Sequence, residues 1–98
     1  MRESELEKKF RLMVRARGGK AYKFVSPGND GVPDRIVVLP GGRIGFVELK
    51  QKGEKPRKLQ QYRMRELEAL GCLTAVVDGP ESAQEAIARI QTQEVENG

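Results

Sequence analysis

The 98-residue sequence contains no histidine, no tryptophan and a single cysteine. The absence of histidine excludes a Ser-His-Asp or Cys-His triad and any zinc site with histidine ligands. A single cysteine cannot form an internal disulfide, and it is compatible with a reducing cytoplasm. No apolar run approaches the roughly 18 residues of a membrane span, and no apolar stretch follows the N-terminus. We therefore expect a cytoplasmic protein without a signal peptide, whose chemistry, if it is an enzyme, depends on carboxylates, lysine or a hard metal ion.

The charged residues are unevenly distributed along the chain. Residues 1–65 carry 17 basic and 7 acidic side chains, a net charge of +10, whereas residues 66–98 carry 1 and 7, a net charge of −6. The strongly basic first two-thirds of the chain favours a polyanion such as nucleic acid as the partner. The length fits one domain over residues 1–98, because a second domain would be too small to bury its own core.

Apolar periodicity, together with glycine and proline, divides the chain into seven elements. The predicted elements are a helix over 3–17, a strand over 21–25, a β-hairpin with strands 35–39 and 43–50, a helix over 56–70, a strand over 72–78 and a helix over 81–92. This αβββαβα order predicts an α/β fold in which helices flank a mixed sheet. In the second helix we expect an apolar side formed by Leu59, Tyr62, Met64, Leu67 and Leu70.

The predicted hairpin brings three charged side chains together. If Pro40-Gly41-Gly42 is a three-residue loop, Asp34 lies opposite Glu48, with Cβ atoms about 4.5–5.5 Å apart. Side chains alternate along a strand, so Glu48 and Lys50 share one face. We therefore expect Asp34, Glu48 and Lys50 to converge at one end of the hairpin.

Two facing carboxylates repel each other, and a divalent cation would compensate for that repulsion. Mg²⁺ favours one or two carboxylates together with water and phosphate oxygens, and the carbonyl of Leu49 could add another ligand. Lys50 could then orient an attacking water or stabilise charge on phosphorus. A Glu-x-Lys pair is more often a solvated surface pair, and Asp34 alone fits a turn after Pro33. Unpaired charges are costly in a buried strand, however, and this cost favours a site for metal-assisted phosphodiester hydrolysis.

The same residues resemble a known family, the VRR-NUC domains of the PD-(D/E)xK nuclease superfamily. The resemblance rests on Pro33-Asp34 within Gly31-Val32-Pro33-Asp34-Arg35, on Glu48-Leu49-Lys50 and on Leu59-Gln60, and it covers roughly residues 3 to 78. Small stand-alone members from phages and bacteria are the most similar. The resemblance implies a restriction-endonuclease-like αβββαβ core, followed here by a C-terminal helix over about 81–92, and a dependence on Mg²⁺ or Mn²⁺.

The resemblance also implies roles for individual residues. Asp34, Glu48 and the Leu49 carbonyl would hold the metal, Lys50 would assist the attacking water, and Gln60 would help to order the site.

The family also uses a glutamate from the first helix, and Glu3 and Glu7 are both candidates for this ligand. We place Glu3 first, because it falls near the centre of the apolar stripe of that helix. Glu7 also fits a capping box with Ser4, and Glu3 also fits an exposed charge that favours the helix dipole.

The expected function is that of a metal-dependent, structure-selective DNA endonuclease acting on branched DNA such as a Holliday junction. A homodimer would place two sites on such a substrate, and small resolvase-like members of the superfamily are dimeric. The alternatives are a nuclease directed to flaps or nicks, a non-catalytic nucleic-acid-binding module on the same fold, and a protein-interaction domain that uses the acidic last third. The residues expected to contact DNA phosphates are Lys8, Lys9, Lys52, Lys55, Arg57 and Lys58.

Overall fold

The computed structural model describes residues 2–94, so Met1 and residues 95–98 of the predicted domain lie outside the described residues. The elements are α1 (Glu3–Ala16), β1 (Lys20–Lys23), β2 (Arg35–Leu39), β3 (Arg43–Leu49), α2 (Lys58–Ala69), β4 (Thr74–Val77) and α3 (Pro80–Thr92). This order confirms the predicted αβββαβα arrangement. No end of a helix or strand differs from its predicted position by more than two residues.

The four strands form one mixed sheet in the order β1-β2-β3-β4. β1 and β2 are antiparallel, as are β2 and β3, whereas β3 and β4 are parallel. In the β2–β3 hairpin, Arg35 pairs with Val47 and Leu39 pairs with Arg43. This is the predicted register, because Gly41 and Gly42 adopt positive φ angles of 87° and 73° and close a short turn.

One face of the sheet carries the hydrophobic core. Alternate positions of the strands point to this face, and α1 and α3 bury it. From α3, Ile90 packs so closely that a Cβ on Gly45 of β3 would lie 2.5 Å from it. The main buried side chains are Val37, Leu39, Val47, Leu49 and Val77 from the sheet, Leu6, Phe10 and Val14 from α1, and Ala83, Ala86, Ile87 and Ile90 from α3.

The other face of the sheet carries α2, and the predicted apolar side of this helix is confirmed only in part, because Met64 and Leu67 are half-buried whereas the other three members are exposed. Leu59, Tyr62 and Leu70 are 46%, 52% and 77% exposed, and Gln60 is the buried residue of the helix. The difference arises because the apolar residues are spread broadly around the helix. The side that approaches the sheet is set instead by polar contacts, including a hydrogen bond from Thr74 to Glu68.

The first turn of α2 also differs from its prediction. Pro56 lies before the helix, which begins at Lys58, because the backbone N–H of Arg57 donates to the side-chain oxygen of Gln60 at 2.8 Å. Within residues 2–94, no helix combines the length and the apolar character that crossing a membrane requires.

Candidate active site

Two carboxylates meet where β2 begins and β3 ends. Asp34 immediately precedes β2, and its Oδ1 accepts a hydrogen bond from the backbone N–H of Leu49 at 3.2 Å. Glu48 is the last residue but one of β3. The register of the hairpin therefore continues past Arg35 and puts Asp34 beside Glu48.

Glu48 is buried, with 4% of its surface exposed. Its Oε2 accepts a hydrogen bond from Nε2 of Gln60 at 3.0 Å and lies 3.7 Å from Nζ of Lys50. Its Oε1 is also buried, and this atom has no hydrogen-bond partner within residues 2–94. A buried carboxylate oxygen without a partner is costly, so one half of the Glu48 carboxylate lacks the ligand that would offset its burial.

The electrostatics of the pair show the same imbalance. Burial and, to a smaller extent, the neighbouring charge of Asp34 raise the pKa of Glu48 to about 7, and Lys50 opposes these effects only in part. The pKa of Asp34 is also raised, chiefly by burial, although the N–H of Leu49 and the charge of Arg35 lower it. Both shifts show that burial of these carboxylates is only partly offset by the hydrogen bonds and positive charges around them.

Gln60 connects this pair of acids to α2. Its amide oxygen accepts from the N–H of Arg57, which leaves the amide nitrogen to donate to Glu48. Because one amide end is occupied by the backbone, the orientation of the other end is fixed. The contact lies between the first turn of α2 and the end of β3, and it holds one oxygen of Glu48 in a single position.

The same helix also holds the loop that leads to Asp34. Nε of Arg63 donates to the carbonyl of Asp30 at 2.9 Å. Gly31 has φ +88°, and a Cβ there would lie 2.7 Å from Leu59, so this glycine lets the loop approach the helix closely. No role for Arg63 is predicted from the sequence. Its position one helical turn after Gln60 was the available signal, but its partner is 33 residues away.

The two candidate glutamates of α1 have different surroundings. Oε1 of Glu7 lies 3.7 Å from both Arg11 and Arg35, so this carboxylate is already engaged by two guanidinium groups. The capping box with Ser4 does not form, because α1 begins at Glu3 after Arg2 and has no side-chain cap. Glu3 is exposed rather than turned inward, yet its charge contributes to the raised pKa of Asp34.

Arg35 also belongs to this neighbourhood, although the sequence analysis treated it only as part of a motif and a strand. Its Nη1 donates to the carbonyl of Asp34 at 2.8 Å, and its Nη2 faces Glu7. Arg35 therefore links the start of β2 to α1 and contributes positive charge next to the acidic pair.

The six residues expected to contact phosphates are all exposed. None of them forms an ion pair within the described part of the chain. The group comprises Lys8 and Lys9 on α1, Lys52 and Lys55 in the segment after Lys50, and Arg57 and Lys58 at the start of α2. Their charges are thus available to an anionic partner.

The donor set at the acidic pair fits a hard cation. Across residues 2–94, no group of three or more His, Cys, Asp or Glu side chains could hold an ion by itself. The chain would therefore contribute Asp34, the free oxygen of Glu48 and the Leu49 carbonyl, and would leave the remaining positions to water and a phosphate. That mixture of ligands is typical of Mg²⁺.

The chain is similar over most of its length to a curated protein and to a solved structure. No protein-family model matches the chain. Over 78 residues the chain is 53% identical to "Putative nuclease p44" of Acyrthosiphon pisum secondary endosymbiont phage 1, a match that covers 80% of this chain and 84% of that protein. It is also similar to a solved structure described as a VRR_NUC domain, with a TM-score of 0.82 and 30% identity over 88% of this chain and 94% of that chain.

Proposed function

Because this chain belongs to the VRR-NUC domain family, we propose that it is a metal-dependent, structure-selective endonuclease that hydrolyses phosphodiester bonds in DNA. Membership confirms the restriction-endonuclease-like fold expected from the sequence and assigns the chain to a family of nucleases. The metal, the DNA structure that is cut and the roles of single residues are parts of the proposal.

The observation that carries the proposal is the unpartnered oxygen of Glu48 beside Asp34. A binding module without catalysis has no use for two apposed acids near its basic surface, because they repel phosphate when no cation is bound. With a cation in place, the same acids become a site that attracts a phosphate. The exposed lysines at 52, 55 and 58 follow directly in the chain and provide further positive charge.

The chemistry follows from what each side chain can do at the site. A divalent ion bound there supplies Lewis-acid stabilisation of the charge that develops on the phosphate. Lys50, held 3.7 Å from Glu48, can donate a hydrogen bond to the attacking water or to a non-bridging oxygen. Water attacks phosphorus and loses a proton to solvent, and the P–O bond to the leaving sugar breaks as that oxygen takes the electron pair and is protonated by solvent. Gln60 keeps Glu48 oriented throughout. We propose Glu3 as the metal ligand contributed by α1.

Cleavage assays on active-site variants test this assignment. Asp34→Asn, Glu48→Gln and Lys50→Ala should each lower Mg²⁺- or Mn²⁺-dependent cleavage of a synthetic four-way junction on the order of 10²-fold or more. Glu54→Gln is the matched control, because Glu54 is an exposed acid in the segment after Lys50. Full activity in either carboxylate variant, or undiminished cleavage with a chelator present, would overturn the assigned site.

We propose the junction as the preferred substrate and the homodimer as the active form for a geometric reason. One copy measures 36 × 29 × 21 Å and carries one pair of site carboxylates. A two-fold symmetric pair would present two sites to the two equivalent strands of a junction. Competition between junction, flap and nicked duplex, combined with the mass of the protein in solution by light scattering, tests both points. Equal cleavage of all three DNAs by a monomer would refute them.

A further inference from the structure

A groove between α1 and the edge strand β1 lies apart from the acidic pair. Its cavity of about 360 Å³ is lined by Arg11, Arg15, Gly19, Lys20 and Ala21. Gly19 packs tightly against β2, since a Cβ there would meet the carbonyl oxygen of Val38 at 2.4 Å. The lining of the groove therefore combines a closely packed glycine with three cationic residues.

The cations of this groove are only partly neutralised by the protein itself. Arg11 faces Glu7, which also faces Arg35. Within residues 2–94, neither Arg15 nor Lys20 forms an ion pair with a carboxylate. Nζ of Lys20 instead lies 4.7 Å from the centre of the Tyr22 ring. Net positive charge in a concave surface is suited to an anion.

Two independent measures give the distance from the groove to the acidic pair. On α1, Arg15 lies eight residues beyond Glu7, which faces Arg35 next to Asp34, and eight residues span about 12 Å at the helical rise of about 1.5 Å per residue. On β1, Lys23 pairs with Arg35, next to Asp34, and Lys20 lies three residues further along, or about 10 Å. One strand of duplex DNA advances about 3.4 Å per phosphate. The groove thus lies about three to four nucleotides from the acidic pair.

We infer that this groove, here called the α1–β1 groove, binds the phosphodiester backbone of the DNA arm that extends from the cleaved bond, with Arg15 and Lys20 as its phosphate contacts. The inference rests on the proposed function, because the acidic pair defines where the arm begins. Lys8 lies on the same side of α1 as Arg11 and Arg15, at the i, i+3 and i+7 positions, and it continues the basic surface. The groove gives the chain a second point of attachment, which fixes the direction of the arm relative to the acidic pair.

Binding measured without a divalent ion tests the groove separately from catalysis. The double variant R15Q/K20Q is compared with wild type on a labelled four-way junction by fluorescence anisotropy from 50 to 200 mM salt in chelator. Loss of two phosphate contacts should make the slope of log K against log salt less steep by about 1.8. The affinity advantage of wild type over the variant then shrinks about tenfold across that range. Arg65→Gln, an exposed arginine of α2, serves as the single-charge control and should leave the slope within about 0.3 of wild type.

Neutral methylphosphonates at chosen positions give a second, position-specific measurement. Substitution about three to four nucleotides from the cleaved bond, mapped beforehand with Mg²⁺, should weaken wild type but not R15Q/K20Q, whereas substitution about ten nucleotides away should affect neither protein. Additive effects of the variant and the nearby methylphosphonates, or an unchanged salt slope, would overturn the groove as a phosphate site. If those results accompany normal metal-dependent cleavage, only the groove inference fails. If wild type binds no DNA in chelator and cleaves none when Mg²⁺ or Mn²⁺ is supplied, both the inference and the proposed function fail.

Discussion

The acidic pair determines how the free energy of unfolding should depend on pH, and this can be measured without a substrate. The pKa of Glu48 rises from 4.5 to about 7 in the folded protein. The folded state therefore binds more protons than the unfolded state between these two pH values, so the free energy of unfolding decreases as pH rises through that window. The limiting slope is about 1.36 kcal/mol per pH unit. Across the window, the metal-free protein should lose roughly 3 kcal/mol of stability, a large share of the 5–15 kcal/mol typical of a domain.

The assay is equilibrium unfolding by urea in chelator at pH 5, 6, 7 and 8, for wild type, Glu48→Gln and Glu54→Gln. Wild type and the exposed-residue control should lose stability from pH 5 to pH 8. Glu48→Gln should show a much flatter profile, because its amide does not ionise and can still accept from Gln60. A small decline should remain, since the pKa of Asp34 is raised in the same direction.

Wild-type stability that is constant or increases over this range would refute the role of Glu48 ionisation. So would a Glu48→Gln stability that declines as steeply as that of wild type. The same samples can be measured with Mg²⁺ or Mn²⁺ at pH 8. A cation that binds the ionised pair stabilises the folded state in proportion to the logarithm of its concentration. The gain should be present in wild type and Glu54→Gln and greatly reduced in Glu48→Gln.

Two further predictions concern the attachment of the loop before Asp34 to α2. Gly31→Ala should destabilise the protein by roughly 2–4 kcal/mol in urea unfolding, since it combines a positive φ with a Cβ placed 2.7 Å from Leu59. Gly28→Ala, with φ +82° and open space around it, should cost only about 1–2 kcal/mol, and equal losses would contradict the steric argument. Arg63→Ala should lower the rate of cleavage and the apparent metal affinity by freeing the carbonyl of Asp30, and Arg63→Lys should recover part of both. Unchanged metal affinity in Arg63→Ala would contradict a positioning role.

The arrangement of the hairpin was predictable from the sequence because it depends on local chemistry. A short loop with two glycines fixes the pairing of β2 with β3, and alternation then fixes the face on which each side chain lies. The position of Asp34 beside Glu48 follows from these two rules alone. The buried sides of α1 and α3 were predictable for a similar reason, since each helix has one narrow apolar stripe.

The position of α2 was not predictable in the same way. Its apolar residues are distributed around the helix, so their pattern does not select one side. The buried side is set by Gln60 donating to Glu48 and by Arg63 donating to Asp30, contacts that span 12 and 33 residues of sequence. Pairing of Glu7 with Arg35 is likewise a contact between distant segments. No periodicity encodes such contacts, because each depends on how two elements pack.

The protein stabilises the buried acidic pair only in part, through contacts from α2 and from the end of β3. Gln60 and Lys50 satisfy one oxygen of Glu48, and the N–H of Leu49 satisfies one oxygen of Asp34. If protein donors satisfied all four carboxylate oxygens, both pKa values would be lower and the affinity of the pair for a cation would be weak. Because Oε1 of Glu48 is left without a partner, the pair keeps an electrostatic cost that only a proton or a metal ion relieves. Above pH 7 the proton is lost and a bound cation is the remaining way to relieve this cost, so the instability predicted for the metal-free protein and the affinity proposed for the ion have the same physical origin.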